Sequence, residues 1–296
     1  MDKKVNRKVN NITYGIVGLG IMGGSIAKAI KTNILNDKES TGSVIALDKN
    51  TDSLNNALIS NAIDKGFLPE QTTTFLSLCD FVFICLYPHS IINFLKQNKK
   101  YFKDNSIITD ISGVKSELED NIEDIKPNNA DLIFGHPMAG GAKEGYVNSK
   151  SEYFKNHNYI LIPHNFNKKE NLILFEELIY KMGFSKIITT DSKTHDEKIA
   201  FTSQLCHVLA SAMVETADDI DITSFAGGSF DDFTRIAMIN APLWTELFLS
   251  NKKELIKHID KLKENLNSIE ELIQSDNSKE LEALLNDVRQ KRIQMK

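Results

Sequence analysis

The chain has 296 residues, a length that favours two domains over a single core. A formal net charge of −5 argues against a general nucleic-acid binder, which needs a basic face. No apolar run is long enough for a membrane span, and the polar start MDKKVNRKVNN has no apolar signal core, so a cytoplasmic protein is expected. Residues 1–11 read as a frayed leader to the first strand. Cys79, Cys85 and Cys206 lack metal or redox spacing and read as reduced residues in or near the core, so no metal is expected.

In chain order, short β-rich runs come first: ITYGIV (12–17), SVIALD (43–48), DFVFICL (80–86), SIITD (106–110), DLIFG (131–135), YILIP (159–163) and KIITT (186–190). Their continuous apolar character is that of strands buried on both faces. Helical patterns lie between them, at 24–32, 88–98, 114–124 and 168–182 among others. Such alternation predicts a mostly parallel, doubly wound sheet, an α/β Rossmann-like domain over residues 1–190.

Beyond residue 190 only helical periods remain, near 192–217, 233–249, 252–274 and 278–293. They predict an all-α domain over 191–296. Leu255, Ile259, Leu262, Leu266, Ile269 and Ile273 form a heptad-like seam for packing on another helix. Asn251 with Glu254, and Asn277 with Glu280, have the spacing of capping boxes.

The most informative local signal follows the first strand. Gly18, Gly20 and Gly23 form G-x-G-x-x-G directly before a helix, the arrangement that cradles a dinucleotide pyrophosphate on a helix N-terminus. The next strand ends in Asp48, placed to accept the ribose hydroxyls and to repel a 2′-phosphate, which favours NAD over NADP. A structural turn with a solvated Asp48 is the alternative. Ile21 and Met22, with Tyr87 and Pro88 directly after the strand run at 80–86, complete the expected cofactor set.

Three further places carry chemistry. The segment HDEKIAFTSQLCHVLASAMVET is apolar around most of its circumference and is expected to be buried, yet Asp196, Ser203, Gln204, His207 and Ser211 share one sector. A buried polar stripe lines a pocket or ties the helix to a neighbour. Arg235, among apolar residues, is the best anion binder of the second half unless it pairs with Asp231 or Asp232. His136 ends a strand in a Pro/Gly-rich bend, where open parallel sheets bind ligands. His89, His157, His164 and His258 read as loop or surface residues, and His195 as a helix-start residue. Trp244 fits a core position as well as a ligand wall.

The segments GLGIMGGS, DISGVKS, GHPMAG, HDEKIAFTSQLCH and GGSFDDFTRIAMINAPLW resemble, in order and spacing, the prephenate/arogenate dehydrogenases of tyrosine biosynthesis, over about residues 12–275. The resemblance implies NAD(P)-dependent oxidative decarboxylation of a small dianionic cyclohexadienyl acid. It implies a homodimer formed through the helical domain, and no nucleic-acid or membrane partner. His136 would bond the ring C4 hydroxyl, Arg235 a substrate carboxylate, and His207 the side-chain end. Trp244 would arrive from the partner subunit. No fused mutase segment and no regulatory domain is expected. The sequence departs from the family pattern where a serine is usual: it has Gly113, with Ser112 one place earlier. It also has Gly141-Ala142 after MAG, and Gln204 in place of a histidine. Ser112, Gly113 and Gln204, together with Trp244, make up the expected substrate contacts. A β-hydroxyacid dehydrogenase, which uses a lysine base, and a non-catalytic NAD sensor are the rival readings; the polar stripe contains no lysine.

Overall fold

The computed structural model describes residues 7–141 and 143–295; residues 1–6 of the expected leader and Ala142 lie outside them. The strand–helix alternation runs β1 (Thr13–Val17), α1 (Ile21–Asn33), β2 (Ser43–Leu47), α2 (Thr51–Ile59), β3 (Lys65–Phe67), α3 (Thr72–Leu78), β4 (Phe81–Ile84) and α4 (Pro88–Asn98). It continues with β5 (Ile107–Asp110), the short α5 (Ser116–Asp120) and α6 (Ile122–Ile125), β6 (Asp131–Pro137), β7 (Asn158–Ile162), α7 (Lys169–Met182) and β8 (Lys186–Thr189). These strands form one sheet in the order β3-β2-β1-β4-β5-β6-β7-β8. The order reverses between β1 and β4, the crevice where doubly wound sheets hold ligands.

Strand periodicity divides the core. Along β4, Phe81 and Phe83 enter one apolar layer with Ile26 and Phe175, while Val82 and Ile84 enter the other with Ile91 and Leu95. Each fully buried phenylalanine contributes about 1.5–3 kcal/mol of transfer free energy, so this central strand anchors both layers.

The sheet is not parallel throughout. β7 runs antiparallel to β6, with Phe134 opposite Ile162. Among the described residues the connection between them holds short 3₁₀ turns, Tyr146–Asn148 and Ser151–Phe154, and no full crossover helix, which a parallel return would need. The KIITT segment is a largely exposed edge strand rather than a buried one. β3 escapes sequence patterning because it has three residues. The leader is docked from about residue 8: Val9 is buried and its carbonyl accepts the Tyr14 hydroxyl at 2.6 Å.

After Thr189 the described residues form only helices and turns. α8 (Ser192–Ile199) passes through a π-helical turn, Ala200–Gln204, into α9 (Leu205–Glu215). α10 (Gly228–Thr234), a 3₁₀ turn Arg235–Ala237, α11 (Ala241–Ser250), α12 (Lys252–Gln274) and α13 (Ser278–Gln294) follow. The expectation that 195–216 is mostly buried fails within one chain: Leu205 and Ala210 are buried in α9, whereas Met213 and Val214 are exposed. The reason is that too few helices surround it. The seam on α12 behaves likewise, with Leu255 buried and Leu266 and Ile273 in the open. Asn277 caps α13 through the Glu280 amide at 3.3 Å. Asn251 does not cap α12; its buried amide instead donates to the Asp196 carbonyl at 2.9 Å and to Gln204 Oε1 at 2.8 Å. Among the described residues, no helix is long and apolar enough to cross a membrane.

Candidate active site

The crevice at the sheet's reversal opens into a cavity of about 590 Å³ bounded by both halves of the chain. The glycine turn forms one wall, and each glycine has a distinct geometric reason. Gly18 has φ +90°, and a Cβ there would lie 2.6 Å from the Cys85 carbonyl oxygen. A Cβ on Gly23 would lie 1.9 Å from the Gly18 carbonyl oxygen, so helix and turn meet only without a side chain. At Gly20 a Cβ would meet nothing within 4 Å. Gly20 also caps α1 with no side-chain acceptor. The first-turn amides are therefore oriented toward an open cradle with the helix dipole behind them, which fits a pyrophosphate.

Gly20, Ile21, Met22 and Gly23 line this wall, with Tyr87 and Pro88 across from them. Pro88 begins α4, where its missing N–H costs nothing, and the Tyr87 hydroxyl accepts Asn240 Nδ2 at 2.7 Å. Asp48 stands at the end of β2 behind the turn. Its carboxylate accepts the Leu19 amide, and the Asn50 amide at 2.7 Å, leaving lone pairs for ribose hydroxyls.

The opposite wall carries His136, Ser112, Gly113, Gln204, His207, Arg235 and Trp244. His136, at the end of β6, places Nδ1 2.9 Å from Nε2 of His195. His195 Nδ1 lies 2.7 Å from Asp196 Oδ1. The Asp196 carboxylate also accepts the amides of Lys115 and, at 2.7 Å, Ser116. Withdrawal from bulk water, then His195 and the Lys115 cation, hold the His136 imidazole well below the usual histidine range. Burial, outweighing the Asp196 hydrogen bond, lowers His195 as well. For Asp196 burial opposes ionisation, but hydrogen bonds from His195 and Ser116 prevail and keep the carboxyl below its ordinary range. Two neutral histidines thus end on a carboxylate.

Lys115 supports this arrangement from within the core. Fully buried, its ammonium pairs with Asp110 and donates to the Gly135 carbonyl at 2.7 Å, next to His136 in sequence. Neither this pair nor the buried role of His195 was apparent from sequence patterning. The signals available were Asp110 and Lys115 at the two ends of the DISGVK turn and the adjacent His195-Asp196 at a helix start. His195 stands near the start of α8, as expected, and at 1% exposure it is also buried. His157 is an exposed loop residue, as expected, and also lines the cavity.

The predicted substrate contacts sort differently. Ser112 directs its hydroxyl oxygen to the Val114 amide at 3.3 Å, while residue 113 is the one facing His136. Gln204 lines the cavity, yet its Nε2 donates to the Leu247 carbonyl at 2.7 Å and its Oε1 accepts from Asn251. The polar stripe therefore does both jobs: Asp196 and Gln204 tie helices together, while Ser203 and His207 reach the cavity. The π-helical turn between Asp196 and His207 resets the helical register. Burial pushes the His207 imidazole down, and its Nδ1 donates to the Ile236 carbonyl at 2.8 Å. Trp244 of this chain packs on His207 with ring centroids 3.6 Å apart and lines the cavity. Arg235 reaches the cavity from its 3₁₀ turn, and among the described residues neither Asp231 nor Asp232 forms an ion pair with it.

Comparison with known proteins agrees with this layout. Residues 26–205 match the family model described as prephenate dehydrogenase, nucleotide-binding domain, and 191–287 the one described as prephenate dehydrogenase, dimerization domain. The chain is similar to the prephenate dehydrogenase of Lactococcus lactis subsp. cremoris, 29% identical over 86% of this chain and 69% of that protein. It is 24% identical to the prephenate dehydrogenase of Bacillus subtilis over 91% of this chain and 72% of that protein. The crystal structure of Aquifex aeolicus prephenate dehydrogenase with hydroxyphenyl propionate and NAD+ superimposes with a TM-score of 0.85 at 28% identity, covering 99% of this chain and 100% of that one. With a two-part family match over most of its length and the same architecture, the chain belongs to the prephenate dehydrogenase family of oxidoreductases.

Proposed function

We propose that this protein catalyses the NAD-dependent oxidative decarboxylation of prephenate to 4-hydroxyphenylpyruvate in tyrosine biosynthesis. The observation that carries the reading is the convergence of His136 and Arg235 on the cavity beside the glycine turn. The ligands of the Aquifex enzyme, NAD+ and a phenol bearing a carboxylate side chain, support it. Residues 1–190 act as the nucleotide-binding domain and 191–296 as the substrate and dimerisation domain. The exposed apolar residues of the helical half, Met213, Leu249, Leu266 and Ile273 among them, support a homodimer.

The nicotinamide, when bound, supplies the hydride acceptor. As positive charge builds at ring C4, neutral His136 accepts the hydrogen bond of the C4 hydroxyl and favours the developing carbonyl, help of about 10²–10⁴-fold for such a base. Arg235 pairs with a substrate carboxylate and orients the ring. Aromatisation drives loss of the ring carboxylate as CO₂, so the chain needs no covalent nucleophile. His207 and Trp244 hold the side-chain end.

One observation favours a second reading, arogenate as substrate. With Nδ1 donating to Ile236, neutral His207 offers a bare nitrogen, an acceptor that suits an ammonium better than a keto group. Steady-state assays of both acids with NAD and NADP test the choice. Highest kcat/KM for prephenate with NAD supports the main reading; preference for arogenate supports the second; reduction of neither coenzyme by either acid removes both.

A further inference from the structure

We propose that His195, held by Asp196, is a positioning residue that fixes which nitrogen His136 presents to the substrate and shares the proton that nitrogen takes up. The proposal rests on the function given above and extends it to two side chains remote from the cavity surface.

The assignment follows from counting protons along one line of atoms. Asp196, accepting the Lys115 and Ser116 amides, is an ionised acceptor. His195 Nδ1, 2.7 Å from it, must therefore carry the hydrogen. A neutral imidazole has one N–H, so His195 Nε2 is bare. His136 Nδ1, 2.9 Å away, must then donate to it. This leaves the lone pair of His136 on Nε2, the nitrogen nearest residue 113 on the cavity side. A donor at position 196 would reverse every step and put a hydrogen where the substrate hydroxyl needs an acceptor.

The same line moves charge. When the C4 O–H bond breaks and an N–H bond forms at His136 Nε2, the Nδ1 hydrogen passes to His195 Nε2. The positive charge then rests against Asp196. The overall conversion, prephenate dianion and NAD+ to the keto-acid monoanion, CO₂ and NADH, releases no proton. The borrowed proton therefore returns by the same path to the phenol oxygen. A relay that ends on buried groups suits a loan of this kind, since His195 and Asp196 are each 1% exposed. The other charged groups facing the histidines are Lys115 and Asp110, buried and paired with each other. Lys115 opposes lasting protonation of the pair.

The test is ¹⁵N NMR of the full-length protein with labelled histidine, alongside kinetics of Asp196→Asn and His195→Gln. In the unsubstituted protein, His136 is expected to be protonated at Nδ1 and bare at Nε2. Asp196→Asn turns its oxygen to the Lys115 and Ser116 amides and its NH₂ to His195. The His136 tautomer is then expected to invert and turnover to fall by about 10²-fold or more with little change in KM. His195→Gln keeps an acceptor for His136 Nδ1, so the tautomer is expected to hold while turnover falls less far. A His136 bare at Nδ1 in the unsubstituted protein overturns the proposal, whether or not either variant folds. So does an Nε2 signal that Asp196→Asn leaves in place. A merely structural Asp196 would cost stability and leave the tautomer alone. If neither prephenate nor arogenate reduces NAD, the functional reading fails while the spectrum still decides the relay.

Discussion

Gly113 stands directly before the imidazole of His136: a Cβ at residue 113 begins 3.8 Å from His136 Nε2 and 3.3 Å from Leu247 Cδ2. The absent side chain leaves the space in which a substrate hydroxyl meets the imidazole. Gly113→Val fills that space and presses on Leu247. We expect kcat/KM to fall more than about tenfold, a loss of about 1.4 kcal/mol in transition-state binding, with the thermal midpoint nearly unchanged. Unaltered kinetics would place the reacting hydroxyl elsewhere.

His136→Asn removes the acceptor nitrogen while keeping a polar side chain. Turnover is expected to drop about 10²–10⁴-fold with NAD affinity and KM little altered. Turnover equal to that of the unsubstituted protein would remove His136 from the chemistry.

Arg235→Ala acts on binding. A hydrogen bond to a charged group contributes about 1.5–3 kcal/mol, so KM should rise by about one to two orders of magnitude with a smaller effect on turnover. An unchanged KM returns Arg235 to a surface role.

Two glycines separate folding from cofactor binding. Gly23→Ala places a carbon 1.9 Å from a backbone oxygen, so the thermal midpoint should fall sharply. Gly20→Val has open room and an ordinary backbone conformation, so the fold should persist while a branched side chain occupies the cradle and weakens NAD binding. Titration of NAD by fluorescence, read beside thermal unfolding, checks both.

Acid should destabilise the protein from a defined starting point. His136, His195 and His207 all titrate below their ordinary value of about 6.5 when folded, so the unfolded chain binds more protons as pH falls below about 6.5. Stability is expected to be fully present above that pH and to decline beneath it. His136→Asn should flatten the slope of urea-unfolding free energy against pH between about 6.5 and 5; an unchanged slope would show that this imidazole takes up a proton as readily in the fold as in the unfolded chain.

The strand runs, the glycine turn and His136 at the end of β6 were legible in the chain because they rest on local rules: period-two apolarity, backbone room at glycine, and the placement of polar residues at strand ends. The same rules could not expose β3, too short to show a period, nor the reversal at β7, which depends on what the intervening loop fails to build. The capping-box spacing at Asn251 misled for a related reason: a buried amide takes the strongest partners in reach, here Asp196 and Gln204, whatever its neighbours in sequence offer.

Linear order therefore determined that a dinucleotide-type α/β half precedes a helical half, and which residue types stand at its turns. Folding in three dimensions decided that His136, His195 and Asp196, spread over sixty residues, share one line of hydrogen bonds, and that Gln204 and Ser112 turn inward to the protein. The reason is range. Helix and strand signals act between residues a few positions apart, whereas a proton relay is set by distances between side chains from separate elements, which no spacing along the chain encodes.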